Sequence, residues 1–133
     1  MADAYDLILK GATVVNQDGT GVRDIAVSNG RIAAISTAAE PVTGNVPDVI
    51  DCSGLHILPG VIDSQVHFRE PGLTHKEDLE SGSRAAVAGG VTVVFEMPNT
   101  NPLTTTREAL ADKVAAARGR MFCDFAFYVG ATR

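Results

Sequence analysis

The alternation of apolar and polar positions divides this chain into two parts. From residue 5 to about residue 57, short β-type runs rich in apolar residues recur at 5–10, 12–16, 22–28, 31–36, 49–51 and 55–58, with apolar and polar positions alternating in 22–28. Successive side chains of a strand lie on opposite faces, so this period predicts half-buried β-strands. Gly11 separates the first two runs, Asp18-Gly19-Thr20 reads as a turn, and Asn29-Gly30 joins two alternating runs directly. Asn-Gly is a strong hairpin signal, because a type I′ turn needs positive φ at both central residues. A loop of small and polar residues extends to about Pro47. The pattern predicts a meander of β-hairpins, forming a small β-sandwich-like domain over residues 1–57.

The period changes after Gly72. Thr74 and Glu77 have the spacing of a capping box, and residues 76–88 follow without proline as a helix closed by Gly89-Gly90. Residues 91–96 form a nearly all-apolar run, the pattern of a parallel strand covered on both faces. Thr105 and Glu108 repeat the capping spacing, 107–117 read as a second helix, and 121–129 form a third apolar strand. Strand, helix, strand, helix, strand is the α/β order, and right-handed crossovers make the sheet parallel. A complete (β/α)8 barrel takes roughly 250 residues, so residues 58–133 amount to the first β/α units of an incomplete TIM barrel. A fragment or truncated product is the expectation, with an exposed edge on its third strand.

Between the two parts lies the stretch 59–72, Pro-Gly-Val-Ile-Asp-Ser-Gln-Val-His-Phe-Arg-Glu-Pro-Gly. Asp63, Gln65, His67 and Arg69 alternate with apolar residues, and an extended backbone would place all four on one face. Such a face suits the mouth of a barrel, where a strand ends in a site.

Composition narrows the function classes. The net charge of −5 and scattered Lys and Arg give no footprint for nucleic acid. No run approaches the roughly 18 apolar residues of a membrane span, and the N-terminus lacks the basic and apolar regions of a secretory signal, so the cytoplasm is expected. Cys52 and Cys123 lie far apart, with no Cys-x-x-Cys, and read as small apolar fillers. The Ala-rich second helix carries no cofactor signal, and there is no phosphate-cradling glycine loop.

The run 59–72, followed by His75-Lys76-Glu77-Asp78 and by Glu96-Met97-Pro98-Asn99-Thr100, resembles dihydroorotase of the amidohydrolase superfamily over essentially the whole chain. The resemblance implies a metal-dependent hydrolase that opens and closes a cyclic amide in pyrimidine synthesis, interconverting dihydroorotate and carbamoyl aspartate. It implies zinc as cofactor, with one or two ions. It also implies a small-molecule substrate, aspartate carbamoyltransferase as a partner and association with further copies of the chain. The family pattern is Asp-x-His-x-His-x-Arg, and here Gln65 stands in place of the first histidine. Two imidazoles at i and i+2 lie about 7 Å apart on one strand face and reach a single cation. A Gln carbonyl oxygen is a poorer zinc donor, so the first metal site should be weakened or absent.

His67 then reads either as a metal ligand or as a remnant hydrogen-bonded to Gln65 and Asp63. Asp63 reads as a supporting or structural residue of the strand end in preference to a catalytic one. The resemblance implies that Arg69 holds the substrate carboxylate, which its planar fork matches in two parallel hydrogen bonds; the alternative is a structural pair with Glu70 or Asp78. Asn99 lies on the same rim and can donate to the same carboxylate, or it can serve turn chemistry alone. No catalytic residue is expected within the 133 residues: the proton-shuttling Asp and the later ligands would lie beyond them, and the chain alone should be inactive. Two further readings stay open. One is a dihydroorotase-like scaffold for aspartate carbamoyltransferase, favoured by Gln65. The other is a dihydropyrimidinase, hydantoinase or allantoinase, against which Arg69 speaks.

Overall fold

The computed structural model describes residues 5–37, 40–43 and 46–131. Residues 1–4, on which part of the N-terminal reading falls, lie outside the described residues, as do 38–39 and 44–45 of the loop expected before Pro47. The chain divides into two compact units, Met1–Pro59 and Gly60–Arg133.

The first unit is a β domain of one five-stranded sheet: β1 (Leu7–Asn16), β2 (Gly19–Ser28), β3 (Arg31–Ile35), β4 (Asp48–Asp51) and β5 (His56–Ile57). β1, β2 and β3 form the expected antiparallel hairpins, and Asn29 and Gly30 take φ of 52° and 70° at the β2–β3 turn. The meander ends there. β4 and β5 both pair with β1 in parallel, so the last two strands return across the sheet instead of continuing as hairpins. The two runs expected on either side of Gly11 are one strand with an irregular register between Leu9 and Ala12. Gly11 sits in that irregularity at φ 74°, donates its amide to Asp24 at 2.8 Å, and has Ser53 Oγ 2.9 Å from where a Cβ would stand. Ala12, Val14, Ile25 and Cys52 form the core, so Cys52 fills apolar space as its sequence context suggested.

The second unit is α/β. Three strands, β6 (Val61–Val66), β7 (Val91–Glu96) and β8 (Asp124–Phe127), run parallel in the order β6-β7-β8, joined by α1 (Leu79–Ala88) and α2 (Arg107–Ala117). Sequential parallel strands with a helix in each crossover are the opening of a β/α barrel. Leu79, Val94, Phe68 and Ala117 form its core between helices and sheet, each 6% exposed or less.

Both helix caps, and the start of α1, differ from the sequence pattern, while α2 spans the expected 107–117. α1 starts at Leu79, not near Lys76: the capping box is Asp78 with Ser81, Asp78 Oδ1 accepting the Ser81 amide at 2.7 Å. Asp is as good an N-cap as Thr, and residues 74–76 instead form turns that carry the chain from the loop to the helix. For α2 the cap is Thr106, whose Oγ1 accepts the Ala109 amide at 3.1 Å. No described helix is long and apolar enough to cross a membrane.

Candidate functional site

The strand that was to carry four polar side chains on one face stops at Val66. Asp63 Oδ1 accepts the Gln65 amide at 3.0 Å, and the register with β7 shifts between Asp63 and Val66. Beyond the strand, Arg69 has φ 66°. A left-handed residue breaks the alternation, so Arg69 does not share a strand face with Asp63. What survives of the pattern is local. Val66 and Phe68 pack into the helix-facing core, while Gln65 is exposed and His67 is half-buried beside them.

Phe68 is held by close packing. Gly82 of α1 lies flat against its ring, and a Cβ on Gly82 would stand 2.7 Å from both Phe68 Cγ and Cε1. Arg69 is held from below. Its carbonyl accepts the Leu73 amide at 2.9 Å, and the next residue, Glu70, is locked by a two-pronged pair with Arg120, at 2.7 and 3.0 Å. Glu70 Oε2 also accepts the Leu79 amide at 3.0 Å. The Arg120 guanidinium and that amide hold the Glu70 carboxyl below its ordinary pKa, against the opposing effect of burial. Glu70 is thus committed, and Asp78 caps α1. Arg69 forms no salt bridge with a described residue, which removes the structural pairing with Glu70 or Asp78.

The loop after β7 is anchored just as firmly. The Met97 amide donates to Val66 O at 3.0 Å, the Thr104 amide to Pro98 O at 3.0 Å, and the Asn101 amide to Pro71 O at 3.0 Å. Thr100 Oγ1 donates to Pro102 O at 2.9 Å and lies 3.2 Å from Thr104 Oγ1, both threonines being buried. Asn99 projects from this frame, itself exposed, and its Oδ1 stands 2.9 Å from His67 Nδ1. Neither partner suggested by the sequence, Gln65 or Asp63, holds His67; the bond crosses to the next strand.

Beneath the loop lies a feature that the sequence reading missed. Glu96 ends β7, and Lys113 of α2 places Nζ 2.5 Å from Glu96 Oε2, each side chain 1% exposed. Lys113 also donates to Met97 O at 3.2 Å and stands 5.1 Å from the centre of the Phe127 ring. Burial raises the Glu96 pKa, with Lys113 opposing, and neither carboxylate oxygen completes a well-aligned hydrogen bond. The signal was present: a Glu closing an all-apolar strand, and a Lys three residues after Leu110 and four before Ala117 on a helix.

Among the described residues no three His, Cys, Asp or Glu side chains come together as a metal site. Zinc takes four donors, so one imidazole and one amide oxygen do not make a zinc site by themselves. A cleft of about 740 Å³ lies on the helix side, lined by Pro71, Leu79, Leu103, Thr104, Lys113 and Ala116 among others. His67, Arg69 and Asn99 do not line it.

Three parallel strands joined by helix crossovers, with His67 and Asn99 meeting just beyond the ends of two of them, form the opening of a β/α barrel. The family comparison agrees: residues 54–130 match a family model described as "Dihydro-orotase-like", and the chain belongs to that family of cyclic amidohydrolases. It is 42% identical over 129 residues to an allantoinase of Desulfitobacterium hafniense and 45% identical over 128 residues to one of Rubrobacter xylanophilus. Each alignment takes in 96% of this chain but only 28% and 27% of the relative. Among solved structures, L-hydantoinase (dihydropyrimidinase) from Arthrobacter aurescens superposes with a TM-score of 0.85 at 38% identity, covering 95% of this chain and 28% of that one. D-hydantoinase (dihydropyrimidinase) from Thermus sp. gives a TM-score of 0.75 at 28% identity, over 94% and 27%. The chain therefore spans little more than a quarter of the proteins it resembles.

Proposed function

We propose that this chain forms the opening quarter of a cyclic amidohydrolase whose substrate carries a carboxylate, dihydroorotate or its open form carbamoyl aspartate. The observation that carries the reading is Arg69. It follows the end of β6 in a left-handed backbone conformation, its carbonyl held by the Leu73 amide, with no carboxylate of the described residues to neutralise it. A guanidinium held without an ionic partner supports the binding of an external carboxylate in two parallel bonds. The Asn99 amide group, its Oδ1 turned to His67, keeps Nδ2 to donate to the same ligand. The ring-opening groups and the rest of the metal ligands belong to the remainder of the barrel in this reading. The test is turnover by the protein extended through the whole barrel. Dihydroorotate and carbamoyl aspartate should interconvert, with allantoin and hydantoin poor substrates.

A second reading, an allantoinase or hydantoinase, is favoured by the relatives named above. The same assay separates the two. A scaffold role beside aspartate carbamoyltransferase is favoured by Gln65, and it requires that none of these substrates is turned over while the two proteins co-purify.

A further inference from the structure

Asn99 and His67 sit just beyond neighbouring strand ends, 32 residues apart in sequence, each beside separately anchored backbone. Phe68 against Gly82 fixes the backbone beside His67, and the Met97, Thr104 and Asn101 amides fix the loop that carries Asn99. The 2.9 Å contact thus joins two backbone segments that are anchored independently. The atom facing the imidazole is Oδ1, a carbonyl oxygen that can only accept. Nδ1 must then carry the proton. A neutral imidazole has one N–H, so Nε2 is left with its lone pair bare.

We infer that Asn99 is a positioning residue which locks His67 in the Nδ1–H tautomer, so that Nε2 keeps its lone pair. Asn99 thereby acts on both sides: Oδ1 sets the tautomer and Nδ2 stays free for a ligand. This deepens the functional reading above and rests on it for its purpose, since a bare Nε2 is the form in which an imidazole binds a divalent cation or accepts a proton. The geometry stands without that reading.

The tautomer is read directly by nitrogen NMR of the imidazole in the full chain, followed across pH until the neutral ring is observed. Nδ1 should show as protonated and Nε2 as bare. Asn99→Ala, which removes the acceptor, should shift the tautomer ratio by roughly two- to tenfold towards Nε2–H, the worth of a net hydrogen bond. Asn99→Asp, which keeps an acceptor at the same reach, should retain the Nδ1–H form. A dominant Nε2–H tautomer in the unaltered chain would overturn the inference, as would a ratio unmoved by Asn99→Ala. Turnover plays no part in the readout, so a failed substrate assignment and a failed tautomer lock are separate results.

Discussion

Lys113 of α2 places its ammonium 2.5 Å from the Glu96 carboxylate at the end of β7, with both side chains shut off from solvent. The same ammonium bonds the Met97 carbonyl, the first residue of the loop that carries Asn99. A charge pair in the outer layer thus fixes where the second strand ends and where the rim begins. Removing one partner leaves the other charge buried and alone, which costs roughly 3–5 kcal/mol. Lys113→Met should lower unfolding stability in denaturant by that order. The double change Lys113→Met with Glu96→Met should recover most of the loss. A single change that costs nothing would show the pair to be solvated in solution.

Gly82 offers a test with an inverted sign. In an exposed helix interior, Gly→Ala stabilises by about 1 kcal/mol. Here the added methyl meets the Phe68 ring, which is itself 6% exposed and has nowhere to retreat. Gly82→Ala should destabilise by roughly 1–3 kcal/mol, the range for overpacking. It should also weaken the His67–Asn99 contact, because His67 moves with its neighbour. Stabilisation by the alanine would contradict the packing described.

Acid should act through Glu70. Its folded pKa lies below the ordinary 4.5, chiefly through Arg120, so the folded state holds fewer protons than the unfolded chain in that range. Its contribution to stability is present above pH 4.5 and is lost as pH falls through the lowered value. Arg120→Ala should flatten that acid loss and cost on the order of 1 kcal/mol at neutral pH, since the pair is partly exposed. The check is the denaturation midpoint across pH 2–7, roughly the window of carboxylate titration. An acid limb unchanged in the variant would assign the loss to other carboxylates.

Gln65 is the departure from the family pattern, and reversing it is informative. Val66 and Phe68 both pack towards the helices, so residues 65 and 67 flank the same core residue. In the protein extended through the barrel, Gln65→His should tighten zinc binding by at least about tenfold, read by calorimetry, because imidazole is the better zinc donor. An unchanged affinity would mean that position 65 does not reach the cation.

Much of this was legible in the sequence because its signals are local. Asn29-Gly30 gave the hairpin, and the apolar run 91–96 gave a parallel strand. The order of elements after Gly72 gave the β/α units. What was not legible depends on pairs distant in the chain. The return of β4 and β5 to β1 is a tertiary choice, with nothing in either strand to announce it. At Arg69 a backbone turn overrode a clean alternation, since period two holds only while the strand lasts. The His67–Asn99, Glu70–Arg120 and Glu96–Lys113 pairs join segments 17 to 50 residues apart. The cap of α1 was misplaced because Thr74 and Asp78 are both good caps, and only the turns at 74–76 decide between them.

The central claim is that Arg69 receives the carboxylate of a cyclic amide substrate. The most direct test is the ratio of kcat/KM for dihydroorotate to that for allantoin, in the protein extended through the barrel, before and after Arg69→Met. Loss of one partner from a hydrogen-bonded charge pair costs about 2–5 kcal/mol, or roughly 30- to 4,000-fold. The ratio should favour dihydroorotate in the unaltered protein and fall by that factor in the variant. Allantoin turnover that exceeds dihydroorotate turnover and is indifferent to Arg69→Met would contradict the account.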